Sequence, residues 1–150
     1  MQGGGQEGGL RSGTESTPAI FGFAAAAGAG AKTFRQDSAR EKELIAYLAD
    51  KLSALPGVVI NGAHEAPHIL SIAIPGVPTQ NSINILQDAG ICVSAGSACA
   101  KGHRSHVLSA MEVPGAVIDA AFRVSLCRDT TKAELDALIQ VITQDILPRI

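Results

Sequence analysis

Helix-period and strand-period segments alternate along most of this chain, which predicts a two-layer domain of the α/β to α+β class. Apolar residues recur at helical spacing in two stretches: Leu44, Ile45, Leu48, Leu52 and Leu55, then Leu135, Leu138, Ile139, Ile142 and Ile146. Between them lie four short apolar runs bounded by Gly, Pro, Asn or small residues, a strand signature. The composition permits a core: 150 residues with 46% hydrophobic and 17% charged side chains are enough for one domain, and unlike a disordered chain. No internal repeat is present.

The elements follow in order. Residues 1–16 are rich in Gly and polar side chains and predict a loop. Thr17-Pro18 reads as the cap and first turn of an Ala-rich helix running to about Ala31, its end weakened by Gly28 and Gly30. Ser38 with Glu41 forms a capping-box pattern that predicts a new helix start, and Pro56-Gly57 its end. Val58 to Ile60 is a short strand, Asn61-Gly62 a turn, and Ile69 to Ile74 a second strand. Thr79 is expected to cap a helix through Ala89, stopped by Gly90. Ile91 to Ser94 predicts a third strand, Ala95 to Arg104 a loop, and Ser105 the start of a short helix. Ala121 to Leu126 is a fourth strand, and Thr131 with Glu134 a capping box for the last helix.

Several function classes recede on composition. A net charge of −2 does not draw the chain to nucleic acid or an anionic membrane surface. Trp is absent and aromatics are 3%, so a base-stacking platform is not expected. No apolar run reaches the roughly 18 residues of a membrane span. MQGGGQEGG lacks the basic-then-apolar pattern of a secretory signal. Three cysteines without framework spacing favour a reducing compartment, so a cytoplasmic location is expected.

The richest stretch chemically is Val93 to His106, centred on Cys99. Cys99 stands among Gly, Ala and Ser, which predict a mobile loop rather than a packed core, and Lys101, His103 and Arg104 follow it closely. Positive neighbours favour the thiolate, the nucleophilic form of sulfur. A plainer reading makes Cys99 an ordinary small residue. A metal reading competes as well, because Cys99, His103 and His106 are spaced C-x3-H-x2-H and Cys92 offers a fourth donor to zinc. That spacing is not a strong zinc pattern, and no CxxC pair is present. Cys92 and Cys127 fall in strand-like segments and are expected to be buried. His64 and His68 read as surface or turn histidines. On the residues alone, Arg123 reads as an edge-strand arginine in a surface ion pair, and Thr14 as a polar turn residue.

Three blocks resemble the cysteine desulfurases. They are Gly3 to Thr14 (GGGQEGGLRSGT) with Pro18-Ala-Ile and Gly22; Ser94-Ala-Gly-Ser-Ala-Cys99 with Ser105-His-Val-Leu108; and Phe122-Arg-Val-Ser-Leu126 with Arg128 and Thr130-Thr131. They come in the family's order, and the similarity extends over nearly all of the chain.

The resemblance implies a pyridoxal-phosphate enzyme of aminotransferase class V, fold type I and normally a homodimer, that converts L-cysteine to L-alanine. It implies that Cys99 carries the persulfide, that Arg123 pairs with the substrate carboxylate through its planar fork, and that Thr14 reaches the cofactor phosphate of the partner subunit. A sulfur-acceptor or scaffold protein for iron–sulfur or thio-cofactor assembly is the implied partner.

The chain also departs from that pattern. The family's Schiff-base lysine lies in a Ser-x-His-Lys segment before the GGGQE block, and none of Lys32, Lys42, Lys51, Lys101 and Lys132 stands in that context. Gly8 replaces a usual Arg, Ser16 a usual Asn, and Cys127 a common Gly. Residues 1–35 are therefore expected to be the tail of the large cofactor domain, and residues 36–150 the small C-terminal domain. Such a piece is not expected to catalyse desulfuration alone. A stand-alone persulfide carrier and a small zinc-binding domain are the alternatives.

Overall fold

The computed structural model describes residues 3–63, 65–96 and 104–150. It divides into two compact units, Met1–Gln36 and Asp37–Ile150. In the first, β1 (Gly5–Gln6) and β2 (Arg11–Ser12) form an antiparallel ribbon around a 3-10 turn at Glu7–Gly9. The stretch expected to be loop thus carries two short strands, and the Gly13 N–H donates to the Gly4 carbonyl at 2.9 Å. Leu10, Ile20, Phe21, Phe23 and Phe34 are all exposed.

The helix α1 runs unbroken from Thr17 to Ser53, where two helices were expected. Gly28 and Gly30 each cost about 1 kcal/mol against alanine, which a helix tolerates when its neighbours are good formers. After Pro18 no proline interrupts the segment, so no backbone donor is lost. Ser38 and Glu41 consequently lie inside the helix and cap nothing. Ile45, Leu48, Ala49 and Leu52 form its buried stripe, each large side chain contributing about 1.5–3 kcal/mol of burial.

The second unit holds a four-stranded sheet, entirely antiparallel, in the order β3 (Val59–Asn61), β4 (Ile69–Ala73), β6 (Ala121–Ser125) and β5 (Ser94–Ala95). Helices α2 (Thr79–Asp88), α3 (His106–Ala110), α4 (Gly115–Ile118) and α5 (Lys132–Val141) complete it. The last continues as a π-wound turn, Ile142–Ile146, and a 3-10 turn, Leu147–Arg149. A helix-and-antiparallel-sheet unit is the α+β end of the expected class.

Alternation along the strands gives the sheet two faces. Leu70, Ile72, Phe122 and Val124 face the main core, with Leu48 and Leu52 of α1, Leu86 of α2 and Leu135 and Leu138 of α5. On the other face Ala73 and Ala121 pack with Ala120, Leu108 of α3 and Val117 of α4. The small alanines let these two short helices lie close to one end of that face.

Local details depart from expectation in three places. Of the strand expected at Ile91–Ser94 only Ser94 pairs, the observed strand being Ser94–Ala95, because the chain leaving Gly90 (φ +78°) first returns to α2, with the Ile91 N–H on the Leu86 carbonyl at 2.8 Å. Thr79 is not a cap. Pro78 holds that position, and the Thr79 hydroxyl donates to the carbonyls of Asp119 (2.8 Å) and Ala121 (3.0 Å), fastening α2 to the start of β6. The helix α4 was not expected at all. The Thr131–Glu134 capping box is present as read: the Thr131 hydroxyl accepts from the Glu134 N–H, and the Glu134 carboxylate accepts from the Thr131 N–H at 2.7 Å.

Candidate functional site

The sheet face that α3 and α4 leave open forms one wall of a cleft of about 810 Å³. Its polar floor follows from register. Asn61 pairs with Ser71, Ser71 with Arg123, and Arg123 with Ser94, so one row crosses all four strands. Directly opposed residues on antiparallel strands project to the same face. Asn61, Ser71 and Arg123 of this row line the cleft. The adjacent row, Ile60–Ile72–Phe122, belongs to the core, which fixes the register, since a one-residue slip would bury the arginine.

Residues of α3 also line the cleft. Ser105 caps this helix, its hydroxyl accepting from the Leu108 N–H at 3.3 Å. Leu108 is half-buried against the alanines, while Val107 and Met111 stay exposed and line the cleft.

An ion pair also lines the cleft. Arg104 Nε and Nη2 donate to the two Asp119 carboxylate oxygens at 2.7 and 2.6 Å. The Asp119 hydrogen bond holds the guanidinium's pKa above its ordinary value, and the same bond holds the Asp119 carboxyl below its own. Gly115 makes room for the pair: a Cβ there would stand 3.0 Å from Arg104 Nη1. Asp119 ends α4, and its backbone carbonyl accepts from the Thr79 N–H and hydroxyl.

The residues singled out by sequence are placed as follows. Arg123 is exposed on the cleft floor, and β6 is an inner strand rather than an edge. Among the described residues it forms no salt bridge, so the edge-strand ion-pair reading is set aside. Thr14 follows β2 in the first unit and is exposed. Cys99, Lys101 and His103 lie outside the described residues, but the flanks of their segment, Gly96 and Arg104, both line the cleft. Arg104 was read as a positive neighbour of Cys99, yet its charge is matched by Asp119. Of the zinc-reading histidines only His106 is described. It opens α3 and is exposed at the cleft. His64 is not among the described residues; His68 is exposed just before β4.

Cys92 and Cys127 are both exposed, contrary to expectation, because the paired strands stop short of them. The Asp129 backbone N–H and then the Thr130 hydroxyl hold the Cys127 thiol below its ordinary pKa. Arg40 of α1 steadies this turn by donating to the carbonyls of Arg128 and Thr130, both at 2.6 Å. Asn61, Ser71, Thr79 and Asp119 carried no functional signal in the sequence. Only strand register and the fold of α4 bring them to the cleft.

The model of the class V aminotransferases matches residues 4–138. The chain is 37% identical over 147 residues to a cysteine desulfurase of Trichormus variabilis, covering 95% of this chain and 37% of that protein. It is 36% identical over 143 residues to a NifS/IcsS protein homolog of Lactobacillus delbrueckii, covering 92% and 37%. Its fold is similar to the solved structure of a NifS-like protein, with a TM-score of 0.84 at 33% identity, over the whole of this chain and 39% of that one. The chain therefore spans a little over a third of the length of the relatives it matches.

Proposed function

The chain belongs to the class V aminotransferase family, and from that premise we propose that it is the C-terminal part of a cysteine desulfurase. The observation that carries this reading is Arg123, a cation without an acidic partner among the described residues, on the floor of a cleft bounded by both flanks of the Cys99 segment. The resemblance of Ser94 to Cys99 to the desulfurase cysteine loop, together with the relatives' names, supports sulfur capture in this cleft. No relative named here favours a zinc domain or a free-standing carrier.

In the complete enzyme L-cysteine loses its sulfur to the Cys99 thiolate, leaving L-alanine and a persulfide. Arg123 holds the substrate carboxylate through two parallel donors, fixing the substrate against rotation. The apolar Val107 of α3 and Met111 at its C-terminal end line the same cleft. Pyridoxal phosphate supplies the electron sink in such enzymes. The described residues of the cleft include no lysine and do not by themselves fit that group. Thr14 is assigned to the cofactor phosphate across a homodimer, the location to the cytoplasm, and the sulfur to an acceptor or scaffold protein of iron–sulfur or thio-cofactor assembly.

The test joins this chain to the remaining length of the family and supplies L-cysteine. We expect alanine release and one added sulfur on the Cys99 peptide by mass spectrometry, both lost in Cys99→Ala. Alanine formed at the normal rate in Cys99→Ala would sink the assignment. Arg123→Gln is expected to raise KM for L-cysteine about 10-fold or more, since hydrogen bonds to a charged group are worth about 1.5–3 kcal/mol.

A further inference from the structure

We propose that Ser71 and Asn61 complete the carboxylate seat that Arg123 begins, with Asn61 fixing the Ser71 hydroxyl as a donor beside the guanidinium. This rests on the reading of Arg123 given above and extends it to two residues that no motif marks.

The electrostatics of the cleft come first. Its described lining carries Arg104, Asp119 and Arg123 as fixed charges, with His106 as a titratable group. Arg104 and Asp119 neutralise one another through two hydrogen bonds. Asp119 is thereby withheld from Arg123, which is left to attract an anion.

The floor then decides which anion. Ser71 is directly opposite Arg123 in the β4–β6 register, which puts their Cβ atoms about 4.5–5.5 Å apart on one face. Asn61 is opposite Ser71 on the other side, and its Nδ2 donates to Ser71 Oγ at 3.3 Å. Asn61 is buried, so its carboxamide has little freedom to turn away. A serine hydroxyl has one proton and two lone pairs, and this bond occupies a lone pair. The neighbour on the other side is a guanidinium, which only donates. Neither neighbour in the row is therefore positioned to take the Ser71 proton, and it is left for an acceptor arriving from the cleft.

An ionised carboxylate offers acceptors only. One oxygen meets the Arg123 fork and the other is shared with the Ser71 hydroxyl. The ligand class is a small α-amino carboxylate, and the recognition is of the carboxylate rather than of the side chain. Ser71 touches the ligand. Asn61 is a positioning residue acting through Ser71.

The test uses the full 150-residue chain, with L-alanine and its carboxylate-free analogue L-alaninamide as probes, followed by amide chemical-shift titration. We expect Ser71→Ala to raise the L-alanine Kd about 10- to 100-fold, the range of one hydrogen bond to a charged group. Ser71→Thr restores it to within about 2-fold, since the hydroxyl is kept. Asn61→Leu weakens binding less than Ser71→Ala, and the double variant is no weaker than Ser71→Ala alone, as expected of residues acting through one contact. L-alaninamide responds to none of these changes. Urea midpoints check folding, and the Ser71→Ala and Ser71→Thr pair carries the test should Asn61→Leu not fold. If Arg123→Gln abolishes L-alanine binding while Ser71→Ala leaves it unchanged, the inference fails and the Arg123 reading stands. If wild type does not prefer L-alanine to L-alaninamide, or Arg123→Gln binds L-alanine as well as wild type, the Arg123 reading fails and takes the inference with it.

Discussion

At the scale of single residues, the ionisable groups divide by what faces them. Arg104 spends its charge on Asp119, so the Cys99 thiolate is expected to draw on Lys101 and His103 instead. Arg104→Gln should leave the pH midpoint of Cys99 alkylation unchanged, and a clear rise would show that the guanidinium reaches the sulfur after all. Cys127 is a second reactive thiol, exposed and held below its ordinary pKa by the Asp129 N–H and the Thr130 hydroxyl. Thr130→Val removes one donor to the thiolate, so the Cys127 pKa rises. Iodoacetamide labelling of Cys127 should then slow near neutral pH, where the thiolate fraction falls, and match wild type well above the thiol range. Equal rates at both pH values would contradict the bond. The Glu134 carboxyl is held below its usual value by the Thr131 backbone and hydroxyl. Its contribution to stability is therefore present above the unfolded carboxylate value and lost as pH falls through the lowered folded one.

At the scale of elements, caps and packed faces set the energies. Thr131→Ala deletes the cap of α5 and should cost about 1 kcal/mol in urea unfolding. Leu86→Ala opens the core where α2 meets the sheet, since Leu86 is fully buried, and should cost about 2–5 kcal/mol. The continuity of α1 makes a prediction of its own. Gly28 and Gly30 lie mid-helix with open space where a Cβ would go. Replacing both by alanine should add helix stability of about 1 kcal/mol each and raise the helical circular-dichroism signal. A loss of helicity would show that the chain breaks there, as the sequence suggested.

At the scale of the molecule, the apolar side chains of the first unit matter most. Leu10, Ile20, Phe21, Phe23 and Phe34 are exposed on a chain that spans little over a third of its relatives. Exposed apolar surface of this kind favours association. The 150-residue chain should sediment as a concentration-dependent oligomer, and Phe21→Ser with Phe23→Ser should shift it toward monomer. A monodisperse monomer for wild type would remove the argument.

Where a signal depended on neighbours in sequence, the sequence sufficed. The stripe Ile45–Leu48–Leu52, the Thr131–Glu134 box and the Ser105 cap each depend on residues three or four apart, and each is where it was read. Where the outcome depended on distant partners, local pattern misled. Ser38 and Glu41 make a capping pattern but stay helical, since a cap forms only where a helix starts. Cys92 and Cys127 look like strand residues, yet exposure depends on where pairing stops. Thr79 looks like a cap and instead bonds carbonyls some forty residues away. The sequence by itself determined the buried stripes of α1 and α5, the caps of α3 and α5, the class of fold and the family's motifs, because periodicity and caps are short-range physics. Tertiary structure alone decided that Asn61, Ser71 and Arg123 share one row and that Asp119 answers Arg104, because cross-strand register is set by the burial of a whole face and leaves no trace in any local pattern.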